Sequence, residues 1–377
     1  MEKAYDRSWR YGILKVMYNM GFRGKLPIFV KNFLQMRTFQ VRIGDILSEE
    51  FIQKEGVLQG SVLSVVLFVI KINGIINQLP PYVHGSLFVD YFQIYCASTD
   101  MSFIERQIQA AIRQITEWAD RNGFVLSVSK TNCVNFCRRR GLHPDPDISL
   151  NGSVIPVVRE AIFLGIIFHS RLTFKSHILY LKRKCNNALN LLKIFSSRTW
   201  GDDCSSLLKI HKSLVLSKLD CCSAVYGSAA KSVIKSLDTI HHPGLRLDSG
   251  AFRTSPIQSL YVITGELSLQ LRSERQFIEY YYKIKSNRRH PLYDRALNPI
   301  FGSLFAIKSS YIPSFGHRIR ALLTYHNNEN PNMMAKEKPP PPWRELKIAT
   351  IDYFNGLSKD DTPHFVYLQL FYYHRQC

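Results

Sequence analysis

Two stretches of this sequence decide its fold: Gly56-Val57-Leu58-Gln59-Gly60-Ser61-Val62-Leu63 and, about thirty positions further on, Phe88-Val89-Asp90-Tyr91. The first predicts a tight Gly-Gln-Gly-Ser turn that opens an apolar helix, since glycine permits close backbone approach. The second lies in an alternating apolar segment, Ser86 to Ala97, which predicts a hairpin with Asp90 and Tyr91 at its turn. Taken alone, the first stretch would be an ordinary loop-to-helix junction and Asp90 an ordinary turn residue.

The segments around these stretches predict a mixture of helices and strands. Ser8 to Phe33 has helical spacing and predicts two short helices. Phe39 to Phe51 predicts a hairpin that turns at Gly44-Asp45. Val62 to Ile72 is apolar on all sides except at Ser64 and Lys71, which predicts a helix buried at the centre of a domain.

A long helix is predicted where Ser102 is followed three residues later by Glu105. This is the spacing of a capping box, and an apolar face then runs to Gly123. Strands are predicted at Val125 to Phe136 and at Ala161 to Phe168. Strands and helices around one sheet place this part of the chain in the α+β class.

Beyond Arg171 the pattern predicts helices only. Apolar residues at three- and four-residue spacing predict a helix from Phe174 to Phe195, which buries Ile178, Leu181, Cys185, Ala188 and Leu192. Further helices are predicted at Ser205 to Leu219 and at Leu267 to Lys285. Asn327 to Pro342 is rich in asparagine and proline and predicts a linker.

Composition narrows the class of partner. The 377 residues include 49 Lys and Arg against 29 Asp and Glu, a net charge of +20, which favours a polyanion such as RNA or DNA. A generically basic protein and an anionic membrane surface are the alternatives. The eight cysteines have no metal-type spacing, so reduced thiols in an intracellular protein are expected, in either nucleus or cytoplasm. No signal peptide and no membrane span are predicted.

The order of these motifs resembles the reverse transcriptases of non-LTR retrotransposons, LINE-like and jockey-type. Their palms carry a Gly-Val-Pro-Gln-Gly-Ser-Val-Leu-Ser stretch and then a Phe-Ala-Asp-Asp hairpin. The resemblance implies a palm at residues 1–170 that lacks the fingers, an all-helical thumb and connection region at 171–290, and a weakly structured region at 291–377 before a missing ribonuclease H-like domain. It also implies RNA-templated DNA synthesis from deoxynucleoside triphosphates with Mg²⁺.

The same resemblance implies that Asp90 is catalytic and binds metal. Tyr91 stands where the family has a second aspartate, and a phenol, neutral at pH 7, is a poor magnesium ligand. Glu2-Lys3-Ala4-Tyr5-Asp6 matches the family's first-strand pattern from its third position, so the remaining metal-binding aspartate would precede Met1. Because a two-metal site needs carboxylates from separate strands, we expect a degenerate, inactive copy. Asp6 is expected to cap a helix.

The resemblance assigns nucleotide binding to Tyr5, Gln59, Gly60 and Lys130. Tyr5 matches the bulky residue that excludes a ribose 2′-hydroxyl, although an aromatic core residue would look the same. Gln59 and Gly60 match the turn that lines the incoming nucleotide, and Leu58 replaces its usual proline. Lys130 matches a lysine near the triphosphate, with a solvated lysine at a strand end as the alternative.

Nucleic-acid binding is expected at Gly165, Lys175, Lys182, Arg183 and Lys184. Gly165 matches the strand turn that grips the primer, where glycine lets the nucleic-acid backbone come close. The four basic residues lie on the predicted helix after it, and phosphate contact competes with a merely solvated face. Two further hypotheses are a non-catalytic nucleic-acid-binding remnant and a pseudogene product without selected function.

Overall fold

The computed structural model describes residues 1, 3–137, 144–197, 201–300, 302–307 and 312–326, and within them it contains both helices and strands. The two predicted short helices are present as α1 (Arg10–Asn19) and α2 (Lys25–Leu34). They bury Ile13, Met17, Val30 and Leu34. No helix in the described part of the chain is long and apolar enough to cross a lipid bilayer.

The predicted hairpin after α2 is confirmed as a narrow ribbon of four two-residue strands. The outer pair is β1 (Thr38–Phe39) with β4 (Phe51–Ile52), and the inner pair is β2 (Arg42–Ile43) with β3 (Ile46–Leu47). Gly44 and Asp45 form the turn, with Gly44 at a positive φ of 60°. All eight strand residues are exposed, so the ribbon contributes no buried residue to a core.

The predicted helix Val62–Ile72 is confirmed as α3, but its predicted burial on all sides is wrong. One face is buried through Leu67, Phe68 and Ile72, whereas Val62 is 85% exposed. The two polar residues that interrupt the apolar run, Ser64 and Lys71, both lie on the buried face. The helix therefore packs on one side against α1, in the first hydrophobic core.

The hairpin that follows is confirmed, with its turn one residue earlier than predicted. β5 (His84–Phe88) pairs with β6 (Tyr91–Tyr95), and Phe88 lies opposite Tyr91. Val89 and Asp90 therefore form the two-residue turn, and Tyr91 is the first residue of the return strand. The alternating apolar residues on one side of the hairpin pack against the first core: Leu87, Val89, Phe92 and Ile94.

The long helix is α4 (Met101–Asn122), and its predicted apolar face is buried at Ile108, Ala111, Ile115, Trp118 and Ala119. The predicted capping box is wrong. The N-cap residue is Asp100, whose carboxylate accepts a hydrogen bond from the Ser102 amide. Glu105 instead accepts a hydrogen bond from the amide of Asp147. Gly123 ends the helix in the left-handed conformation, as predicted.

The strand predicted at Val125 to Phe136 is absent. The segment forms a single parallel bridge, between Cys133 and Val157. Local side-chain bonding competes with strand pairing here, because the hydroxyl of Thr131 donates to the carbonyl of Ser127. The strand predicted at Ala161 to Phe168 is a hairpin rather than one strand, of β9 (Glu160–Phe163) and β10 (Ile166–His169).

The expectation of one sheet is also wrong. The described residues form five separate two-stranded antiparallel sheets, the remaining one being β7 (Ser149–Leu150) with β8 (Ser153–Val154). The strands are two to five residues long and pair only within hairpins and ribbons. The mixture of helices and strands that the α+β class predicts is confirmed.

Beyond Arg171 the described residues contain helices and no strand, as predicted. The helix predicted at Ser205 to Leu219 is interrupted by a π-helical turn at Lys212–Leu216. The helices are α5 (Lys175–Phe195), α6 (Cys204–His211), α7 (Ser217–Asp220), α8 (Ser223–Tyr226), α9 (Lys231–Lys235), α10 (Asp238–Ser249), α11 (Ile257–Thr264), α12 (Leu269–Lys285), α13 (Tyr293–Leu297), α14 (Gly302–Ile307) and α15 (Phe315–Tyr325).

Among the described residues, two hydrophobic cores follow one another along the chain. Buried residues of the first lie between Ala4 and Ile155, and those of the second between Ile166 and Ile240. Ile166 and Phe168 of β10 belong to the second core, with α5. By contacts, the described residues within 1–279 and 301–315 form one unit, and those within 280–300 and 316–326 form a second unit. Glu2, His143 and the linker predicted at Asn327 to Pro342 lie outside the described residues.

Candidate functional site

The N-terminal segment and the Gly56–Ser61 turn lie side by side. Residues 4–7 form a turn, closed by a hydrogen bond of 2.9 Å from the amide of Arg7 to the carbonyl of Lys3. The amide of Gly56 donates to the carbonyl of Ser8 at 3.1 Å, and the amide of Val57 donates to the carbonyl of Tyr5 at 3.0 Å. The backbone thus joins two segments that are about fifty residues apart in sequence.

The guanidinium of Arg10 adds a third connection. Its Nε donates to the carbonyl of Gly56 at 2.9 Å, from the first turn of α1. Gly56 has a φ of +82°, and a β-carbon there would lie 2.6 Å from the carbonyl oxygen of Asp6. Position 56 therefore requires glycine on two grounds, conformation and space.

Gln59 and Asp6 are hydrogen-bonded to each other. The side-chain amide of Gln59 donates to Oδ1 of Asp6 at 2.9 Å, and Gln59 is exposed. The predicted helix-capping role of Asp6 is wrong, because the N-cap residue of α1 is Trp9. Gly60 has a φ of +94°, and a β-carbon added there would meet no atom within 4 Å, so the backbone at Gly60 faces open space.

Tyr5 lies half-buried beside this turn. Its ring stacks on Phe68 of α3, with centroids 4.5 Å apart and ring planes at 19°. Phe68 is fully buried and also contacts Phe124 edge-on at 6.2 Å. One ring face is thereby fixed by the core, which is compatible with both interpretations of Tyr5, an aromatic core residue and a rigid wall beside a bound sugar.

Asp90 occupies the tip of the β5–β6 hairpin. Its side chain is half-buried, and Tyr91 beside it is 53% exposed. Val89 has a φ of +55°, a conformation that is unfavourable for a β-branched residue. Strain of this kind is often found at functional turns, and this turn carries Asp90, the residue for which the resemblance implies a catalytic role.

The predicted nucleotide-binding residues do not all meet. Tyr5, Gln59 and Gly60 are brought together by the paired turns described above. Lys130 is exposed in a turn closed by the amide of Thr131 on the carbonyl of Val128. Within the described residues no hydrogen bond links Lys130 or Asp90 to the Gly56–Ser61 turn.

The residues at the hairpin do not fit the pair of Mg²⁺ ions that the resemblance implies. A two-ion site needs carboxylates that converge from separate elements. The described residues contain no group of three His, Cys, Asp or Glu side chains that could hold a metal ion. Asp90 is followed by a phenol, and the carboxylate of Asp6 is engaged by Gln59.

The predicted nucleic-acid-binding residues lie on two consecutive elements. Gly165 and Leu164 form the turn of the β9–β10 hairpin, both at positive φ, and a β-carbon on Gly165 would meet no atom within 4 Å. The backbone there is open to a ligand. α5 begins ten residues later at Lys175, after Phe174, which is buried and left-handed.

The basic residues of α5 surround its exposed side rather than forming one row. Lys175 and Lys182 are seven residues apart and share a flank, whereas Lys184 is rotated from Lys182 by about 200°. Arg183 lies between them. The ammonium of Lys184 is 4.7 Å from the ring centroid of Tyr180, which adds a cation–π contact on that flank. The buried side of α5 is the predicted one.

Sequence reasoning did not predict the buried position of Lys71. It is 2% exposed, and its Nζ donates to Oδ1 of Asn122 at 2.7 Å. A β-carbon on Gly12 would lie 2.4 Å from the same Nζ, so Gly12 provides the space for it. Burial, with a smaller effect of the charge on Lys15, lowers the pKa of Lys71 to about 8. The signal in the sequence was a single lysine inside an apolar helix.

A second unpredicted feature is a buried polar cluster in the helical region. His211 and Asp248 are fully buried and hydrogen-bonded through Nδ1 and Oδ2. The ring of His241 lies 6.0 Å from that of His211, and its Nε2 bonds to the carbonyl of Leu267 at 3.2 Å. Burial, and then the nearby charge of His211, lower the pKa of His241 to about 4.

Comparison with known proteins gives consistent matches. Residues 1–168 match the sequence model of the family described as reverse transcriptase (RNA-dependent DNA polymerase). The chain is 25% identical over 257 residues to "RNA-directed DNA polymerase from mobile element jockey" of Drosophila funebris, covering 67% of this chain and 28% of that protein.

Two relatives from Drosophila melanogaster are similar to the same degree. "Probable RNA-directed DNA polymerase from transposon X-element" is 27% identical over 258 residues, covering 66% of this chain and 28% of its own length. "Probable RNA-directed DNA polymerase from transposon BS" is 26% identical over 209 residues, which cover 52% of this chain and 22% of that protein. The chain therefore spans less than a third of the length of these relatives.

Proposed function

Since residues 1–168 are a reverse transcriptase domain of the kind carried by non-LTR retrotransposons, we propose that this chain binds an RNA or DNA template with its primer but has lost efficient RNA-templated DNA synthesis. In this proposal residues 1–170 form the palm and 171–290 a helical thumb and connection region. The helices between Tyr293 and Tyr325 belong to a further region, 291–377.

The observation that carries the proposal is the assembly of Tyr5, Asp6 and Gln59. Two distant segments are joined by the Gly56–Ser8 and Val57–Tyr5 hydrogen bonds, and the exposed edge of that joint consists of Gln59 and Gly60. We assign this edge to the base and sugar of a deoxynucleoside triphosphate. Tyr5, braced by Phe68, would exclude a ribose 2′-hydroxyl.

Lys130 is proposed to contact the triphosphate when nucleotide is bound. It is exposed, and among the described residues its ammonium has no hydrogen-bond partner or ion pair, so it is available to a phosphate. A lysine in such a turn is also simply solvated when no ligand is present. Its contribution is therefore separable from that of Gln59 by substitution.

The chemical step is where this chain departs from the family. In a complete site, divalent ions held by converging carboxylates would supply charge stabilisation for phosphoryl transfer. Asp90 alone offers one carboxylate at the hairpin tip, and Tyr91 offers a neutral phenol. Loss of one ligand removes several kcal/mol of transition-state stabilisation, and each 1.4 kcal/mol is about tenfold in rate.

Binding of the duplex is assigned to Gly165 and α5. The open turn at Gly165 would allow a close approach of the primer backbone, and the exposed basic residues after it would contact phosphates. A net charge of +20 supports electrostatic binding with little sequence preference. A non-catalytic binding protein would share this part of the proposal.

Primer extension tests the proposal. A labelled DNA primer on an RNA template is incubated with deoxynucleoside triphosphates, Mg²⁺ and either the wild-type chain or Asp90→Ala. We expect both to remain at background. Template-dependent incorporation by the wild type above the Asp90→Ala level would overturn the loss of catalysis and make this chain an active polymerase.

Tyr91→Asp is the informative companion variant. It restores a carboxylate pair on one hairpin, but the metal site also requires a carboxylate from another element. We therefore expect no rescue from this change alone. Extension by Tyr91→Asp would mean that a carboxylate such as Asp6 completes the site, and Tyr91→Asp combined with Asp6→Asn would then lose the activity again.

A further inference from the structure

Two adjacent cysteines, Cys221 and Cys222, lie in the turn between α7 and α8. Their sulfur atoms are 3.7 Å apart and both residues are exposed. Cys221 has φ −57° and ψ 117°, and Cys222 has φ 60° and ψ 22°, which are the angles of a type II turn. That turn usually places glycine or asparagine at its third position, where this chain has Cys222.

This backbone brings the two sulfurs together. In an extended strand the side chains of neighbouring residues point to opposite faces. The left-handed conformation of Cys222 instead lets both sulfurs lie on the same side, at an energetic cost for a residue with a β-carbon. The observations that point to a redox pair are the short distance between the two sulfurs and the exposure of both residues.

We propose that Cys221 and Cys222 form a reversible dithiol–disulfide site that reacts with low-molecular-weight disulfides such as glutathione disulfide. Closing the pair requires the sulfurs to approach from 3.7 Å to about 2.05 Å, the length of a disulfide bond. Adjacent α-carbons are closer together than in an ordinary disulfide, so the ring is strained. A strained and exposed disulfide is easily reduced again, which makes the site a redox pair rather than a structural crosslink.

The exchange proceeds in two balanced steps. The Cys221 thiolate attacks one sulfur of glutathione disulfide, which forms a mixed disulfide and releases one glutathione thiolate. The Cys222 thiolate then attacks the Cys221 sulfur, forming the Cys221–Cys222 bond and releasing the second glutathione. The two cysteines lose two electrons and two protons, and two glutathione molecules gain them.

The order of attack follows from the surroundings of the two thiols. The thiol of Cys222 is partly shielded although the residue as a whole is exposed, and this shielding, with its hydrogen bond to Cys221, raises the pKa of Cys222 to about 11. The thiolate is the reactive form, so Cys221 is the residue that attacks first. Cys222 reacts second, when Cys221 no longer carries a thiol proton or charge.

The turn is linked to helix α12 on both sides. Asp220 binds the guanidinium of Arg272 with both carboxylate oxygens, at 2.7 and 2.6 Å. The hydroxyl of Ser223 donates to Oε1 of Gln276 at 2.8 Å. Ring closure changes the backbone between these two contacts, so we expect oxidation to loosen the first half of α12.

The experiment uses the full chain, reduced and then equilibrated without oxygen in glutathione buffers of increasing disulfide content. Free thiols are blocked with N-ethylmaleimide, and the peptide that contains both cysteines is identified by mass spectrometry. We expect that peptide to lose the mass of two hydrogen atoms and to carry neither maleimide nor glutathione. An excess of reduced glutathione should restore the doubly labelled form.

Cys221→Ser and Cys204→Ser are the paired variants. Cys204 is exposed but has no cysteine next to it in the sequence. Cys204→Ser should therefore leave the yield of the disulfide-containing peptide, the one that has lost two hydrogen atoms, unchanged. Cys221→Ser should abolish it and leave Cys222 labelled or glutathionylated. If the wild type yields only mixed glutathione disulfides or labelled thiols at the highest disulfide content, the proposal is overturned.

Hydrogen exchange on the oxidised chain tests the link to α12. Amides from Leu269 to Glu279 should exchange faster in the oxidised than in the reduced wild type, and Cys221→Ser should show no such difference between the two buffers. Equal exchange rates in both states, with the disulfide formed, would contradict the expectation that oxidation loosens α12 through Arg272 and Gln276.

Discussion

The main chain of Asp6 fills the space beside Gly56, where a β-carbon would lie 2.6 Å from the Asp6 carbonyl oxygen. Gly56→Ala must move the N-terminal turn away or strain a φ of +82°. We expect a loss of about 1–3 kcal/mol in the free energy of unfolding, together with weaker nucleotide binding. Denaturant titration measures the first, and binding of a fluorescent deoxynucleoside triphosphate measures the second.

Gly60→Ala is the matched control for the stability part of this prediction only, since Gly60 belongs to the proposed nucleotide-binding edge. Gly60 has a similar φ of +94°, but its missing β-carbon would face open space. Its substitution should therefore cost only the backbone strain of about 1 kcal/mol. Equal costs at the two positions would show that the close contact between Gly56 and Asp6 contributes nothing.

Lys71 makes the stability of the first core depend on pH at the alkaline end. Its pKa of about 8 in the folded chain lies below the ordinary 10.5, so between these values the unfolded chain binds more protons and stability rises with pH. Lys71→Met should remove about 2–3 kcal/mol of that rise. Lys25→Met, at an exposed lysine, should leave the pH profile unchanged, and an identical profile for Lys71→Met would refute this account of Lys71.

His241 makes the stability of the folded chain depend on pH in the acidic range. Its pKa of about 4 lies below the ordinary 6.5, so the unfolded chain binds a proton first as the pH falls. Stability should be complete above about pH 6.5 and fall by up to about 3 kcal/mol towards pH 4. Burial raises the pKa of Asp248, which offsets part of the loss because that carboxyl gains a proton more readily when folded.

Thermal unfolding of His241→Gln from pH 7 to pH 4 checks this prediction. The variant should lose less stability over that range than the wild type, whereas His84→Gln, at an exposed histidine, should follow the wild type. The charges that face His241 come from His211, His242 and Arg272. Lys212 and Glu266 form an ion pair with each other at 2.7 Å. A steeper acid loss in His241→Gln would show that those groups dominate.

The basic residues of α5 should contribute measurably to nucleic-acid binding. Changing Lys182, Arg183 and Lys184 to glutamine leaves the buried face of α5 intact, so the fold should survive. The slope of log K against log salt should decrease by up to about three, roughly one for each phosphate that is no longer neutralised. Filter binding at several salt concentrations gives the slope.

A control triple removes the same charge elsewhere in the helical region. Lys209, Lys231 and Lys235 are exposed on α6 and α9. Their replacement by glutamine should cost less affinity than the α5 triple. Similar losses from both triples would mean that binding follows net charge, and α5 would have no special role.

Much of the fold follows from sequence periodicity, and the errors have local physical causes. The faces of α4 and α5 were predictable because apolar residues recur every three or four positions over five or more turns. The cap at Asp100 was missed because Ser102 fits the sequence pattern of a capping box equally well. The strand predicted at Val125 to Phe136 does not form, because the hydroxyl of Thr131 makes a local hydrogen bond to the carbonyl of Ser127.

The candidate site was predictable only in part. The glycine and glutamine of the Gly56–Ser61 turn could be predicted from the sequence motif. The hydrogen bond between Gln59 and Asp6 joins residues 53 positions apart, and no local sequence pattern predicts it. The burial of Lys71 depends on the space left by Gly12, a residue of another helix. Such pairings arise in tertiary packing and leave no periodic trace.

The measurement that tests the central proposal most directly follows binding and extension of one primer in the same sample. A fluorescent DNA primer annealed to RNA is titrated with the full chain in Mg²⁺ and deoxynucleoside triphosphates, anisotropy reports binding, and a denaturing gel reports primer length. We predict saturable, salt-sensitive binding of a primer that stays unextended. Extension of the bound primer, or no binding at low salt, would contradict the account.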